Sequence, residues 1–425
     1  MNLLVVGGGG REHAIIKKLK ENKEISQIYA LPGNGGIAED AVCVGEIGAK
    51  DIDKIVEFAR EHQIDFAVVA PDDPLALGCV DRLEAIGIPC FGPNAKAARI
   101  EASKVFSKNL MKKYGIPTAS YEVFHDSKEA MEYLQGASFP IVIKADGLAL
   151  GKGVLIPQNL EEANEAVKTI MEDKAFGDSG NEIVIEEFLT GPEVSVLAFT
   201  DGTAIRPMVS SMDHKRAGDG DTGLNTGGMG TIAPNPCYTK EIAEVCMETI
   251  FLPTLAAMRA EGCPFKGCLY FGLMITPNGP KVIEYNCRFG DPETQVVLPL
   301  LKTDLLTVMQ AVAAETLEDL EVEWYDKAAA CVIIASGGYP GHYEKGKIMT
   351  LPKELPEHAV IYHAGDKLEN GKLLTNGGRV LGVTATAPTL RDALKEAYAV
   401  AETVEFEGSY MRHDIGQKAL AIQEG

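Results

Sequence analysis

The sequence has no C-x-x-C pair, no H-x-H or H-x-x-x-H spacing and no run of about 18 apolar residues. Each absence closes a class. Nine cysteines, odd in number and scattered, read as reduced core thiols of a cytoplasmic protein, neither a disulfide framework nor a zinc site. Without a long apolar stretch no membrane span is expected. The N-terminus enters a strand-like run at 3–6 with no basic leader, so no signal peptide is expected. Basic residues are few, 40 against 61 acidic ones, for a net charge of −21. That surface disfavours nucleic acid and anionic membranes as partners, and any anionic substrate must be held by a local cluster of cations and N–H donors. A monomer acting on small molecules is the expectation.

With 46% apolar and 24% charged residues, the 425-residue chain has the composition of a globular protein of about three domains. Apolar runs at 3–6, 28–31, 66–70 and 89–91 alternate with helical patterns at 12–20, 51–61 and 80–86, which predicts βαβ units and a parallel sheet. Gly92-Pro93-Asn94 closes this unit. A lysine-rich helix is expected over 96–114. A small α+β unit follows, with strands at 121–124, 141–145 and 183–188 and helices at 127–134 and 160–171. Longer strands fill the stretch to about 325, and a β-rich C-terminal domain starts near 328. The expected fold is α/β, divided at 1–102, 103–190, 191–326 and 327–425.

The most informative stretch is Ile141-Val142-Ile143-Lys144-Ala145-Asp146-Gly147-Leu148-Ala149-Leu150-Gly151-Lys152-Gly153-Val154. An apolar strand delivers one lysine, and a glycine loop carrying a second follows. Fixed positive charge beside glycines whose N–H groups can close on oxygens suits a polyphosphate, although a hairpin with two solvated lysines would look alike. No Walker G-x-x-x-x-G-K-[ST] is present. Gly7-Gly8-Gly9-Gly10-Arg11-Glu12-His13 joins the first strand to the first helix, where N–H groups make an anion site. A dinucleotide fold is the obvious guess, but G-x-G-x-x-G fails at Glu12. The ribose-binding acid is also missing from Pro32-Gly33-Asn34-Gly35-Gly36. The loop therefore reads as a holder of one phosphate monoester, with Gly8, Gly9, Gly10, Arg11, Asn34 and Gly36 as its candidates.

Far downstream, Glu284-Tyr285-Asn286-Cys287-Arg288-Phe289-Gly290-Asp291 ends an apolar strand. Alternation puts Glu284 and Asn286 on one face, as two oxygen ligands for Mg²⁺, and Arg288 falls on the same face if the strand runs that far. Arg288 can then clamp a carboxylate or phosphate. Backbone groups in Glu186-Glu187-Phe188-Leu189 can meet an adenine edge, and Glu193 can accept from ribose hydroxyls. Acids at strand ends are common, so a solvated turn reads equally well. The run from Asp213 through Lys215 to Gly230 is too glycine-rich for a helix or a strand and is expected to be a long loop over negative charge.

Together these residues resemble the ATP-grasp superfamily and, within it, the phosphoribosylamine–glycine ligase family, over nearly the whole chain. Ser103-Lys104, Gly338-Tyr339-Pro340 and Thr375-Asn376-Gly377-Gly378-Arg379-Val380-Leu381-Gly382 add to the likeness. One departure is Ala70-Pro71-Asp72, where the family usually has Gly-Pro-Glu. The resemblance implies a pre-ATP-grasp N-terminal domain, ATP-grasp domains and ligation of glycine to 5-phosphoribosylamine through glycyl phosphate, in purine biosynthesis. It implies ATP contacts from Lys104, Lys144, Gly151, Lys152, Gly153, Glu186, Glu187, Phe188, Leu189 and Glu193. Mg²⁺ or Mn²⁺ falls to Glu284 and Asn286, substrate contacts to Arg288, Gly290 and Asp291 with the N-terminal loop, and catalytic roles to Arg288, Lys215 and Asp213. Segment 120–190 is expected to close as a lid when ATP binds. The rivals are a nicotinamide-dependent oxidoreductase, another ATP-grasp enzyme using bicarbonate or formate, and a non-catalytic nucleotide-binding module.

Overall fold

In the computed structural model, which describes residues 1–148 and 153–425, Asn2–Gly7 is the central strand of a five-stranded parallel sheet. The order is Val42–Cys43, Gln27–Pro32, Asn2–Gly7, Phe66–Val69, Cys90–Phe91. Leu3 and Val5 pack with Ile15, Ile16 and Leu19 of helix Gly10–Leu19, while Leu4 and Val6 pack with Ile55 and Phe58 of helix Ile52–Glu61. Burial on both faces explains the unbroken apolar run. The strand order reverses direction at Asn2–Gly7, so its carboxyl end opens a crevice where α/β sheets hold ligands.

The helix expected over 96–114 is two helices, Ala95–Ala102 and Lys104–Tyr114. Ser103 between them is extended (φ −132°, ψ 112°), and its Oγ accepts from the Phe106 N–H. Periodicity alone misses this break because the apolar spacing continues through it. The break places Lys104 in the first turn of the second helix.

Strands Tyr121–Phe124, Ile183–Glu187, Ile141–Ala145 and Val154–Leu155 form an antiparallel sheet in that order. Helices Ser127–Leu134 and Leu160–Val167 cover it, and Ala130, Leu134, Ile143, Ile170, Ile183 and Ile185 give this unit a core of its own. A second antiparallel sheet runs Ile205–Pro207, Glu193–Thr200, Gly267–Thr276, Gly279–Asn286.

The expectation of an irregular loop over Asp213–Gly230 is corrected. Arg216–Gly218 pairs with Thr222–Asn225 as a hairpin, and Met212–Asp213 pairs with Gly230–Ala233. Glycine is tolerated because Gly223 sits at positive φ and Gly218 beside a register shift. Those outer strands join Ala328–Ala335, Arg379–Ala387 and Ala359–His363 in one five-stranded sheet, which spans the boundary expected at 326/327. Helix Leu390–Ala401 packs on it. Among the described residues no helix is long and apolar enough to cross a membrane.

Candidate active site

Lys144 is the penultimate residue of its strand and is buried. Its Nζ lies 2.9 Å from Glu186 Oε1 and donates to the Ile283 carbonyl at 3.2 Å. Lys104 donates to the Gly147 carbonyl at 2.8 Å. A third lysine, Lys108, has no sequence signature. Its Nζ lies 3.1 Å from Glu186 Oε2, and it donates to Thr118 Oγ1 at 2.7 Å. Burial pulls the Lys108 ammonium down to about 8 against the opposing pull of Glu186. The side chain of Glu186 is thus buried between two lysines, not free at a strand end. Glu187 is exposed and accepts from Ser120 N–H (3.1 Å), a bond that holds its carboxyl below the ordinary value. Phe188 and Glu193 are exposed, and Leu189 is half-buried. Gly153 is buried. Gly151 and Lys152 lie outside the described residues.

Glu284, Asn286 and Arg288 are partly open, and Tyr285, Cys287 and Phe289 between them are buried. The strand ends at Asn286, but the alternation continues to Arg288. Burial disfavours the Glu284 carboxylate; Lys215, Lys144, Lys104 and Arg288 outweigh it and hold the group below its ordinary value. Lys215 lies 3.9 Å from Glu284 Oε1 and 3.8 Å from Glu193 Oε2. Asp213 is pushed well up by burial and by Glu293, with Lys215 opposing. Arg288 donates from Nη2 to Glu101 Oε1 at 2.8 Å, and its Nε is buried without a partner among the described residues.

The glycine loop needs its glycines for close approach: a Cβ on Gly8 would lie 2.3 Å from the Gly33 carbonyl oxygen. The donors of Gly9 and Arg11 are engaged. Gly9 N–H donates to Glu12 Oε2 at 2.7 Å, and Arg11 N–H to Asp291 Oδ2 at 3.3 Å. The Arg11 guanidinium donates to Glu12 (2.8 Å) and to the Phe289 carbonyl (3.1 Å). Gly10 packs against Gln295, and Gly290 against Glu293. Burial disfavours charge on Asp291, but Arg379 and Arg11 keep its carboxyl below the ordinary range. Asn34 is fully committed: Nδ2 donates to the Gly8, His363 and Ala364 carbonyls, and Oδ1 accepts from Ile37 N–H. Gly36 N–H donates to Asp366 Oδ1 at 3.3 Å. Both residues therefore tie the loop to the C-terminal sheet.

Glu101 and Lys108 carry no motif in the sequence reading, and Arg379 none beyond the run in which it sits. Arg379 reaches from the C-terminal sheet to the Asp291 and Gly228 carbonyls at 2.8 and 3.3 Å. A Cβ on Gly227 would lie 2.8 Å from its guanidinium carbon, so glycine at 227 leaves room for that side chain.

Comparison with known proteins matches residues 1–101, 102–294 and 329–418 to the N domain, ATP-grasp (A) domain and C domain of phosphoribosylglycinamide synthetase. A phosphoribosylamine–glycine ligase of Caldanaerobacter subterraneus subsp. tengcongensis is 48% identical over 98% of this chain and 99% of its own. The bifunctional purine biosynthetic protein of Pichia angusta is 49% identical over 99% of this chain. The chain spans 54% of that longer relative. The crystal structure of the phosphoribosylamine–glycine ligase of Thermotoga maritima superposes with a TM-score of 0.86 at 36% identity, covering 98% of this chain and 100% of that one. The biotin carboxylase domain of a Hydrogenobacter thermophilus 2-oxoglutarate carboxylase, solved with MgADP and bicarbonate, shares the fold at 18% identity and a TM-score of 0.74, over 99% and 93% of the two chains.

Proposed function

The chain belongs to the phosphoribosylglycinamide synthetase family, and from that premise we propose that it joins glycine to 5-phosphoribosylamine, with ATP cleaved to ADP and phosphate, in purine biosynthesis. The observation that carries the reading is one partly open carboxylate, Glu284, surrounded by Lys104, Lys144, Lys215 and Arg288. Such an excess of cations around an ionised acid fits a metal-bound polyphosphate.

The residues fit Mg²⁺ or Mn²⁺. The Asn286 amide is assigned from its neighbours: with its nitrogen toward Tyr285 O (3.2 Å) and Glu101 Oε1 (3.0 Å) both contacts become hydrogen bonds, and its oxygen faces away from both. Among the described residues no three His, Cys, Asp or Glu side chains cluster to hold a metal alone. Two protein oxygens with phosphates completing the shell is therefore the arrangement proposed. A bound divalent ion would neutralise phosphate charge.

A carboxylate is a poor electrophile. In the first step a glycine carboxylate oxygen forms a bond to the γ-phosphorus and the bond to ADP breaks. Lys104 and Lys144 stabilise the transferring charge, and Arg288 holds the glycine carboxylate. The sugar amine then attacks the acyl carbon of glycyl phosphate, and phosphate leaves with that oxygen. Gly8–Arg11, shaped by Asn34, Gly36, Gly290 and Asp291, receives the ribose phosphate. Lys215 neutralises Glu284 and Glu193, and Asp213, whose carboxyl burial and Glu293 push up, completes the catalytic set beside it. Glu186–Leu189 and Glu193 take the adenosine, and Gly151–Gly153 covers the phosphates. Segment 120–190, with its separate core, closes over the site because an exposed acyl phosphate hydrolyses. Segments 1–102, 103–190, 191–326 and 327–425 are the working units of a cytoplasmic monomer. An ADP-release assay with glycine and fresh phosphoribosylamine tests the reading. Release should need both, and release driven instead by bicarbonate or formate would overturn it.

A further inference from the structure

We propose that Glu101 is a positioning residue that aims the Asn286 oxygen and the Arg288 guanidinium into the cleft. It lies in the last full turn of helix Ala95–Ala102, is buried, and contacts three consecutive residues of the strand exit. Oε2 accepts from Cys287 N–H at 2.7 Å. Oε1 accepts from Arg288 Nη2 at 2.8 Å and, with the amide assigned from its neighbours, from the Asn286 nitrogen at 3.0 Å. The strand ladder ends at Asn286 opposite Tyr270, so the next N–H needs a partner from elsewhere. Glu101 supplies it.

A carboxylate accepts and cannot donate. It therefore draws in the nitrogen of Asn286 and leaves the oxygen, the only atom of that amide able to bind a cation, facing away. Glutamine at 101 could present its own NH₂ and draw in the Asn286 oxygen instead. The same carboxylate fixes one arm of Arg288. Among the described residues the remaining guanidinium groups are nearly free: Nη1 makes only a 3.4 Å contact to Phe289 O, and Nε has no partner. Arg288 in turn offsets the cost of burying the acid.

The inference rests on Glu284 and Asn286 being metal ligands, and the test separates the two claims. Mn²⁺ binding to the enzyme–ADP complex is followed by electron paramagnetic resonance, so no turnover is needed. Glu101→Gln should weaken Mn²⁺ about tenfold, the size usual for groups that orient a ligand, and should raise the KM for glycine more than it lowers kcat. Exchanging the pair, Glu101→Gln with Asn286→Asp, restores a donor facing an acceptor and leaves a carboxylate oxygen outward. It should regain most of the lost affinity. Unchanged Mn²⁺ affinity in Glu101→Gln, while Glu284→Gln loses it, overturns the role of Glu101 alone. Unchanged affinity in Glu284→Gln overturns the metal reading. If Glu101→Gln does not fold, the exchanged variant decides: binding close to the parent supports the proposal, and failure to fold or to bind overturns it.

Discussion

The lysine corner and the glycine-loop corner of the cleft keep their cationic groups in opposite states. Lys104 leans on a carbonyl, and Lys144 on another carbonyl and one shared carboxylate. Four cations surround Glu284. In the glycine loop, Gly9 and Arg11 N–H groups already donate to Glu12 and Asp291, and the Arg11 guanidinium also meets Glu12. One corner holds surplus charge ready for an anion; the other is internally neutralised. An anion can enter the first by simple attraction. In the second it must displace a carboxylate to reach the Gly9 and Arg11 N–H groups. The first should therefore depend on single side chains, and the second on the packing of the N-terminal loop against the C-terminal sheet.

The largest effect should come from the surplus-charge corner. Glu284→Gln is expected to lower kcat on the order of 10²-fold or more while changing the ATP dissociation constant far less, because charge builds up in the transition state. Parallel steady-state kinetics and ATP titration check this. Equal losses in both, unaltered by added Mg²⁺, would place Glu284 outside the metal site.

Next, two lysines on one glutamate should separate. Lys144→Ala removes a charge-assisted phosphate contact of about 1.5–3 kcal/mol, so ATP and ADP should bind roughly ten- to a hundredfold more weakly. Lys108→Met removes the partner buried deeper, and should lower stability by about 3–5 kcal/mol with little loss of nucleotide affinity. Calorimetric titration and thermal melting on the same samples decide. If both variants lose affinity alike, the lysine corner is not divided into a binding and a supporting cation.

The smallest effect at neutral pH concerns the packed corner. His13 accepts the His363 N–H at 2.8 Å and faces Asp40 at 3.0 Å. Burial pulls its imidazole down to about 4. The unfolded chain, with an ordinary value near 6.5, binds the proton first as pH falls. Stability should therefore be intact above about 6.5 and decline toward 4, by about 3 kcal/mol, the size of that shift. Denaturant melts across that window should show the slope in the parent and lose it in His13→Gln. A slope of opposite sign would mean that His13 is charged in the fold.

The same contrast explains what the sequence could reveal. Lys144 and the alternation of Glu284, Asn286 and Arg288 were legible because a strand repeats every two residues. The supporting groups were not. Glu101 is separated from Arg288 by 187 positions and Lys108 is an ordinary helix lysine, so only tertiary packing joins them to the cleft. The parallel sheet was legible from its alternating pattern. The hairpin within 213–230 was misread because glycine content was set against strand pairing, although Gly218 and Gly223 sit where the pairing shifts or turns. The break at Ser103 was hidden by uninterrupted helical periodicity and is made by Asp146, which accepts from Ser103 Oγ and Val105 N–H.

The central claim is that glycine is activated as an acyl phosphate in the cleft between Lys144 and Arg288. It is tested most directly by following oxygen. Glycine labelled with ¹⁸O in its carboxyl group is converted with ATP and phosphoribosylamine, and the released inorganic phosphate is weighed by mass spectrometry. The expected result is one ¹⁸O in each phosphate formed from fully labelled glycine. Phosphate free of label, with one labelled oxygen kept in the amide and the other lost to water, would contradict the acyl phosphate.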